Sequence, residues 1–336
     1  MMTAIAPGKI ILSGEHAVVC GQPALAIAVN RYARASVIPH STPAIIVFDL
    51  LNLKHHRDTT VKALRRLKSR LSADYHLFLR GERGIKDVLK LPHELSHFVL
   101  SNFLERFNRF SDDGIHLKTE STIPMGCGMG SSAAMILAVK FALAHHFKEE
   151  IDKEHLFQLA LEAENLQHGY SSGLDLRVSL QGGALEYHNG QFNPLKLPEW
   201  TLYIVNTGSP DSSTGECVMH TQKLFETTDL AAEMGAVTRT IKIAIEQSNF
   251  NDFQIALRAN HQLLVALGVV PTPVQTFISH LENNGLAAKI CGAGSINGEK
   301  AGIVLIASSD DPTPLCQDFG YTVEKVGGDI HGLRLD

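Results

Sequence analysis

Between residues 124 and 134 the chain reads Pro-Met-Gly-Cys-Gly-Met-Gly-Ser-Ser-Ala-Ala, set between a strand-like segment, Ile115 to Ser121, and an apolar stretch running to about Phe147. Few local structures accept such a run. Gly126, Gly128 and Gly130 can take φ > 0 and bring main chain against a ligand with no Cβ in the way. A helix starting near Ser131 aims its free amides and positive dipole end at the same spot. Ser131 and Ser132 open that helix and bring two hydroxyls within reach of a phosphate-bound Mg²⁺. The competing reading is an ordinary strand-to-helix turn with serine caps. Three alternating glycines, two serines and a long apolar helix together favour a phosphate cradle. No Gly-Lys-Ser/Thr follows, and no acidic strand end lies at dinucleotide-binding spacing, so neither of those loops is present.

The helix from Ser131 to about Phe147 is apolar nearly all round, which predicts burial. With 336 residues, 44% of them hydrophobic, the chain has material for two domains, expected at 1–195 and 196–336. A net charge of −5 argues against a general nucleic-acid binder. The five cysteines (Cys20, Cys127, Cys217, Cys291 and Cys316) are scattered and odd in number, which suits free thiols in a reducing compartment. The start, Met-Met-Thr-Ala-Ile-Ala-Pro, shows no basic leader before an apolar core, so no secretory signal is expected. The longest apolar run, Ala133 to Leu143, is broken by Lys140 and falls short of a membrane span. A soluble, cytoplasmic protein with no membrane partner is the expectation.

Strands are expected at Lys9 to Ser13, Ala24 to Val29, Ile45 to Leu50 and Ile115 to Ser121. Val61, Leu64, Leu67 and Leu71 recur at helical spacing, with Lys62, Arg65, Arg66, Lys68 and Arg70 read as a solvated face. A second helix is expected to start at Pro92, placed in its first turn, and to run to about Phe107. Another runs from Glu154 to Gln167, stopped by Gly169, and His188-Asn189-Gly190 marks a hairpin turn. Beyond a strand at Leu202 to Asn206, three helices are expected over 217–285. Strands follow at Lys289 to Cys291, Gly302 to Ala307, Tyr321 to Val326 and Gly332 to Leu335. This pattern predicts α+β layers in both halves.

Two further clusters are polar. Pro7-Gly-Lys-Ile-Ile-Leu-Ser-Gly-Glu-His16 heads an apolar strand with Lys9 and follows it with a polar turn. On residue physics alone, Lys9 reads equally as a snorkelling surface residue and Glu15-His16 as an ordinary turn. Glu164-Asn-Leu-Gln-His-Gly-Tyr-Ser-Ser-Gly-Leu-Asp175 places a carboxylate just after a Ser/Gly loop. Burying Asp175 alone is costly, which makes Lys9 its candidate partner; a helix N-cap is the rival role. Glu164 shares a helical face with Phe157, Ala160 and Leu161, as a rim residue or a metal ligand, with the rim slightly favoured.

Taken together, Pro7-Gly-Lys with Gly14-Glu-His-Ala-Val-Val, Pro124-x-x-x-Gly-x-Gly-Ser-Ser-Ala-Ala, His168-Gly-x-x-Ser-Gly-x-Asp175 and the late Lys-Ile-Cys-Gly-Ala-Gly294 resemble the GHMP kinases, and among them the mevalonate kinase family. Asn260-His-Gln-Leu-Leu-Val-Ala-Leu-Gly-Val269 is similar to the same branch. The resemblance implies an α+β, two-domain GHMP kinase fold. Its N-terminal half would be ribosomal protein S5 domain 2-like and its C-terminal half ferredoxin-like. It implies transfer of phosphate from ATP, with Mg²⁺, to the primary hydroxyl of mevalonate, and it is compatible with a homodimer. By motif, Asp175 and Lys9 would be catalytic; Pro124, Gly126, Gly128, Gly130, Ser131 and Ser132 would bind ATP. Ser132 and Glu164 would hold the metal, and Glu15, His16, Gly292 and Gly294 would meet the acceptor. Asp175 would orient the hydroxyl at least as much as deprotonate it.

Two departures bear on the acceptor, and leave another GHMP kinase (for phosphomevalonate or a sugar) as the alternative. The third glycine motif becomes a longer, polar loop over 292–302, in which Ile296 resists φ > 0 and Glu299 or Lys300 faces substrate or solvent. After Asp175 stand Leu176 and Arg177; Arg177 would contact a phosphorylated acceptor or face solvent. Separately, His93-Glu94-Leu-Ser-His97 matches the H-E-x-x-H pattern of zinc peptidases. It sits at a helix start with no clear third ligand, so surface histidines are the stronger reading and a peptidase the remote one.

Overall fold

A computed structural model describes residues 2–110 and 114–336. β1 (Thr3–Ser13) and β2 (Ala24–His40) form the centre of an eight-stranded sheet, and β1 is buried along almost its whole length. The first turns of β2 pair with β6 (Ala184–His188), which makes a hairpin with β7 (Gln191–Leu195). Asn189 and Gly190 both take φ > 0 at the tip, the geometry of a two-residue hairpin turn. The far half of β2 pairs with β5 (Gly114–Ser121), which runs parallel to β3 (Ile45–Leu50), and β4 (His55–Thr60) closes that edge.

The sequence left β4 unseen because His-His-Arg-Asp-Thr-Thr has no apolar alternation, as befits an exposed edge. Helix α1 (Val61–Leu79) runs past the expected Leu71, and α2 (Glu94–Arg106) begins two residues after Pro92. His93 is its N-cap, so the proline precedes the helix and does not occupy its first turn.

Under the sheet lies α3 (Ser131–Phe147), whose ten buried residues match its all-round apolarity. It packs on β1 and β2 and is flanked by α2, α4 (Lys153–His168) and α5 (Leu174–Gln181).

In the C-terminal half β8 (Leu202–Asn206) is followed by α6 (Thr214–Phe225), α7 (Leu230–Glu246), α8 (Phe250–Ala266) and α9 (Thr272–Asn283). These are four helices where three were expected; the break between α6 and α7 contains neither glycine nor proline. β9 (Ala287–Ile290), β10 (Ile303–Ala307), α10 (Thr313–Gln317) and β11 (Val323–Val326) follow. The strand order β11-β8-β10-β9, antiparallel throughout, is the ferredoxin-like arrangement. β10 alternates across the sheet: Ile303, Leu305 and Ala307 join the main core, whereas Val304 and Ile306 join a second core with α9. Helices α7 and α8 lie between the two sheets, touching β1 on one side and, through α8, β9 on the other. Finally β12 (Arg334–Leu335) returns to pair with β1. No helix among the described residues is long and apolar enough to cross a membrane.

One of the buried cations lies in the helical layer under the large sheet. Lys140 of α3 is fully buried and donates to Asn102 Oδ1 at 2.7 Å, while Asn102 donates to Glu162 at 3.1 Å. Burial pushes the Lys140 ammonium down to about 7, only partly opposed by Glu162. Unfolded lysine titrates far higher, so its burial penalty is fully present below pH 7 and fades as pH rises. The Tm of Lys140→Met relative to the native chain is therefore expected to fall by about 2–4 °C between pH 6 and pH 10, the loss of the donor to Asn102 Oδ1 being common to both, as thermal melts across the range will report.

Candidate active site

Lys9 enters the glycine-rich loop through both its main chain and its side chain. Its amide donates to Met129 O at 2.9 Å and its ammonium to Gly128 O at 3.0 Å. The same Nζ lies 3.2 Å from Asp175 Oδ1, with Lys9 buried and Asp175 half-buried. Asp175 is the second residue of α5; Gly173 is the N-cap, so the capping role for Asp175 is excluded. The helix is fixed to the lysine's strand by Ser179, which donates to Pro7 O. Gly130 makes the contact possible: at φ 68° it is the N-cap of α3, and a Cβ there would lie 2.9 Å from Lys9 Cγ. The amides of Ser131, Ser132 and Ala133 precede the first helical bond, from Ala134 to Gly130 O, and are left for a ligand.

Glu164 is buried on α4, not on a rim. Ser132 donates to its Oε2 at 3.4 Å, and His168, one turn on, lies 3.5 Å from its Oε1. Burial, reinforced by nearby Asp175, pushes the Glu164 carboxyl up to about 8. The His168 imidazole is pushed down, chiefly by burial.

Two clefts meet at the loop. A cleft of about 350 Å³ is walled by Lys9, Glu15, His16, Glu164, Asp175 and Gly292, with Gly126, Gly128 and Gly130 to Ser132 on one side. A second, of about 480 Å³, is largely apolar, with Leu53, Ile85, Leu89, Leu95, Met125 and Met135 among its walls. Gly126, Ser131, Ser132 and Gln167 line both. A ligand with an apolar ring system at one end and phosphates at the other matches that shape.

The "GHMP kinases N terminal domain" family matches residues 95–183, which contain the loop, Glu164 and Asp175. A mevalonate kinase of Archaeoglobus fulgidus is 31% identical over 296 residues, covering 87% of this chain and 89% of the relative. The chain belongs to the mevalonate kinase family of the GHMP kinases. A mevalonate kinase of Thermococcus sibiricus is likewise 31% identical over 304 residues, covering 87% and 86% of the two chains. The crystal structure of Methanococcus jannaschii mevalonate kinase superposes with a TM-score of 0.81 at 22% identity, covering 97% and 98%.

Most residues singled out in the sequence converge on these clefts, with exceptions. Pro124 and Gly294 are not among the lining residues; Gly294 is buried against Val269, whose carbonyl oxygen lies 2.1 Å from where a Cβ would be. The third glycine segment instead backs the phosphate loop: a Cβ on Gly128 would meet Cys291 O at 2.7 Å, and Ile303 donates to Cys127 O at 3.2 Å. In the 292–302 loop the positive φ angles fall on Gly292, Gly294, Gly298 and Gly302, leaving Ile296 unstrained, while Glu299 and Lys300 are exposed. Arg177 neither faces solvent nor lines the cleft of Lys9 and Asp175. It forks onto Glu154 at 2.8 and 3.2 Å and lies 3.8 Å over the Phe157 ring.

The H-E-x-x-H pattern is absorbed structurally. Glu94 pairs with Arg70 and accepts from the amides of Lys90 and Leu91. His97 is buried against Phe48, with ring centroids 3.8 Å apart, so it is not the expected surface histidine; burial takes it down to about 3. His93 stacks on His55. Among the described residues no three His, Cys, Asp or Glu side chains are grouped to hold a metal.

The sequence reading missed His168, Gln167, Tyr170 and the apolar cleft. His168 stood inside a quoted motif, but the cleft is assembled from segments that read only as core. Gly130→Val should raise the KM for ATP by at least about tenfold, since Val resists φ > 0 and its crowded Cβ shifts the loop whose amides face the phosphates. Steady-state kinetics beside a far-UV spectrum check that the fold survives.

Proposed function

We propose that the chain transfers the γ-phosphoryl group of ATP to the primary hydroxyl of mevalonate, giving 5-phosphomevalonate. The observation that carries this reading is the meeting of the two clefts at Ser132, with the Lys9–Asp175 pair on the acceptor side. The base of ATP fits the apolar cleft, and its phosphates fit the amides of residues 126–133 at the positive end of α3. In this division residues 1–195 supply the phosphate loop and the catalytic pair, and 196–336 close the acceptor cleft.

Asp175 accepts a hydrogen bond from the acceptor hydroxyl and orients its oxygen toward the γ-phosphorus. As the new P–O bond forms and the bond to ADP breaks, the hydroxyl proton passes to Asp175 or to a phosphate oxygen. Lys9 sits where it neutralises charge on the transferring group, and holding the hydroxyl in line is the larger contribution of Asp175. Glu164 and Ser132 fit a Mg²⁺ site. Burial raises the Glu164 carboxyl to about 8, more than Lys9 offsets, and a hydroxyl and a carboxylate are hard oxygen donors. The cation, completed by phosphate oxygens, would neutralise triphosphate charge. With Arg177 held by Glu154 and Phe157, nothing at that position favours a phosphorylated acceptor.

An ADP-release assay with Mg-ATP and mevalonate, phosphomevalonate, homoserine or simple sugars tests the reading. Turnover is expected with mevalonate, and good turnover of another alcohol with none of mevalonate would refute it. Asp175→Asn is expected to lower kcat by roughly 10² to 10⁴ while ATP affinity holds. Near-normal turnover in that variant would remove Asp175 from the mechanism.

A further inference from the structure

The turn from Ser13 to His16 lines the acceptor cleft, yet its side chains are held from the other half of the molecule. Ser13 Oγ lies 2.7 Å from Thr238 Oγ1 of α7 and accepts from Asn260 of α8 at 3.0 Å. His16 Nε2 lies 3.1 Å from Ala293 O, and its Nδ1 is 3.3 Å from Thr221 Oγ1 of α6. Beneath the turn, Lys289 of β9 pairs with Glu15 Oε1 and donates to Ile11 O at 3.3 Å. The lysine side chain is 0% exposed and the glutamate 2%. Only one carboxylate oxygen is used: Glu15 Oε2 is buried and has no partner among the described residues, although Glu15 forms part of the cleft wall. A buried, unpaired carboxylate oxygen is costly to keep unless a ligand donor meets it.

We propose that Lys289 is a positioning residue of the acceptor site, fixing Glu15 so that its free Oε2 accepts a hydrogen bond from an acceptor hydroxyl. This rests on the reading of the cleft as the acceptor site. The second half of the chain thereby sets acceptor geometry through β9. Groups that face the turn are consistent with it. Burial and the positive charge of Lys289 hold His16 down to about 4, with His220 acting in the same sense, and His261 on α8 is lowered by burial first and then by the same lysine. His16 thus stays neutral beside the pair at physiological pH.

Lys289→Met and Glu15→Gln, assayed as full chains, test the proposal. Each is expected to raise the acceptor KM by about tenfold or more while leaving the ATP KM within about twofold. In Lys289→Met the acid limb of acceptor kcat/KM should also move to higher pH, because His16 loses the repelling ammonium. An unchanged acceptor KM in a folded variant, or equal losses for both substrates with a lowered Tm, would overturn it. If Lys289→Met does not fold, Glu15→Gln decides alone, and failure of both to fold assigns the pair to stability and overturns the proposal. Wild-type turnover of mevalonate is the separate control. Should another alcohol prove to be the acceptor, the KM comparison is made with that alcohol, and the pair is judged independently of the mevalonate reading.

Discussion

The contact between Lys9 and the glycine-rich loop is the constraint on which the rest of the structure depends. One residue of a buried strand gives its amide to Met129 and its ammonium to Gly128 and Asp175. These bonds hold the glycine-rich loop, Asp175 and the central sheet in one frame. Nothing larger than hydrogen fits at Gly130 without displacing the lysine, and nothing larger fits at Gly128 without displacing the third glycine segment. The loop is held between a strand of the large sheet and the turn that links β9 to β10 of the small one, so both halves of the chain set its shape.

The energetics of the site follow from burial. Glu164, Lys9, Glu15 and Lys289 are all nearly inaccessible. Two of these charges belong to one buried ion pair, and a third pairs with the half-buried Asp175. Burial, reinforced by Asp175 and only partly opposed by Ser132 and Lys9, leaves the Glu164 carboxyl raised, the feature on which the proposed cation site rests. Buried pairs of this kind contribute little net stability, but losing one partner strands the other.

Much of this was legible in the sequence, for identifiable reasons. The approximate extent of α3 could be read because a glycine run ends where an all-round apolar stretch begins, and the hairpin at Asn189-Gly190 carries its own turn signal. Lys9 and Asp175 could be paired because a buried carboxylate requires a partner. What stayed hidden has no local signature. The edge strand at His55 to Thr60 is polar on both faces, and the apolar cleft gathers residues from segments far apart in the chain. Arg177 looked free because its partners, Glu154 and Phe157, lie on the preceding helix, where neither suggests a clamp. The role of Lys289 depends on a strand of the second sheet lying beneath a turn of the first, which only the tertiary structure reveals.

The most direct test separates phosphate binding from transfer. In Lys9→Met the loop amides and α3 remain, so ATP affinity, measured by calorimetry with Mg²⁺, should stay within several-fold of wild type. Single-turnover transfer to mevalonate should slow by about 10² or more. A folded Lys9→Met variant that transfers phosphate at a rate near wild type would contradict the account at its centre.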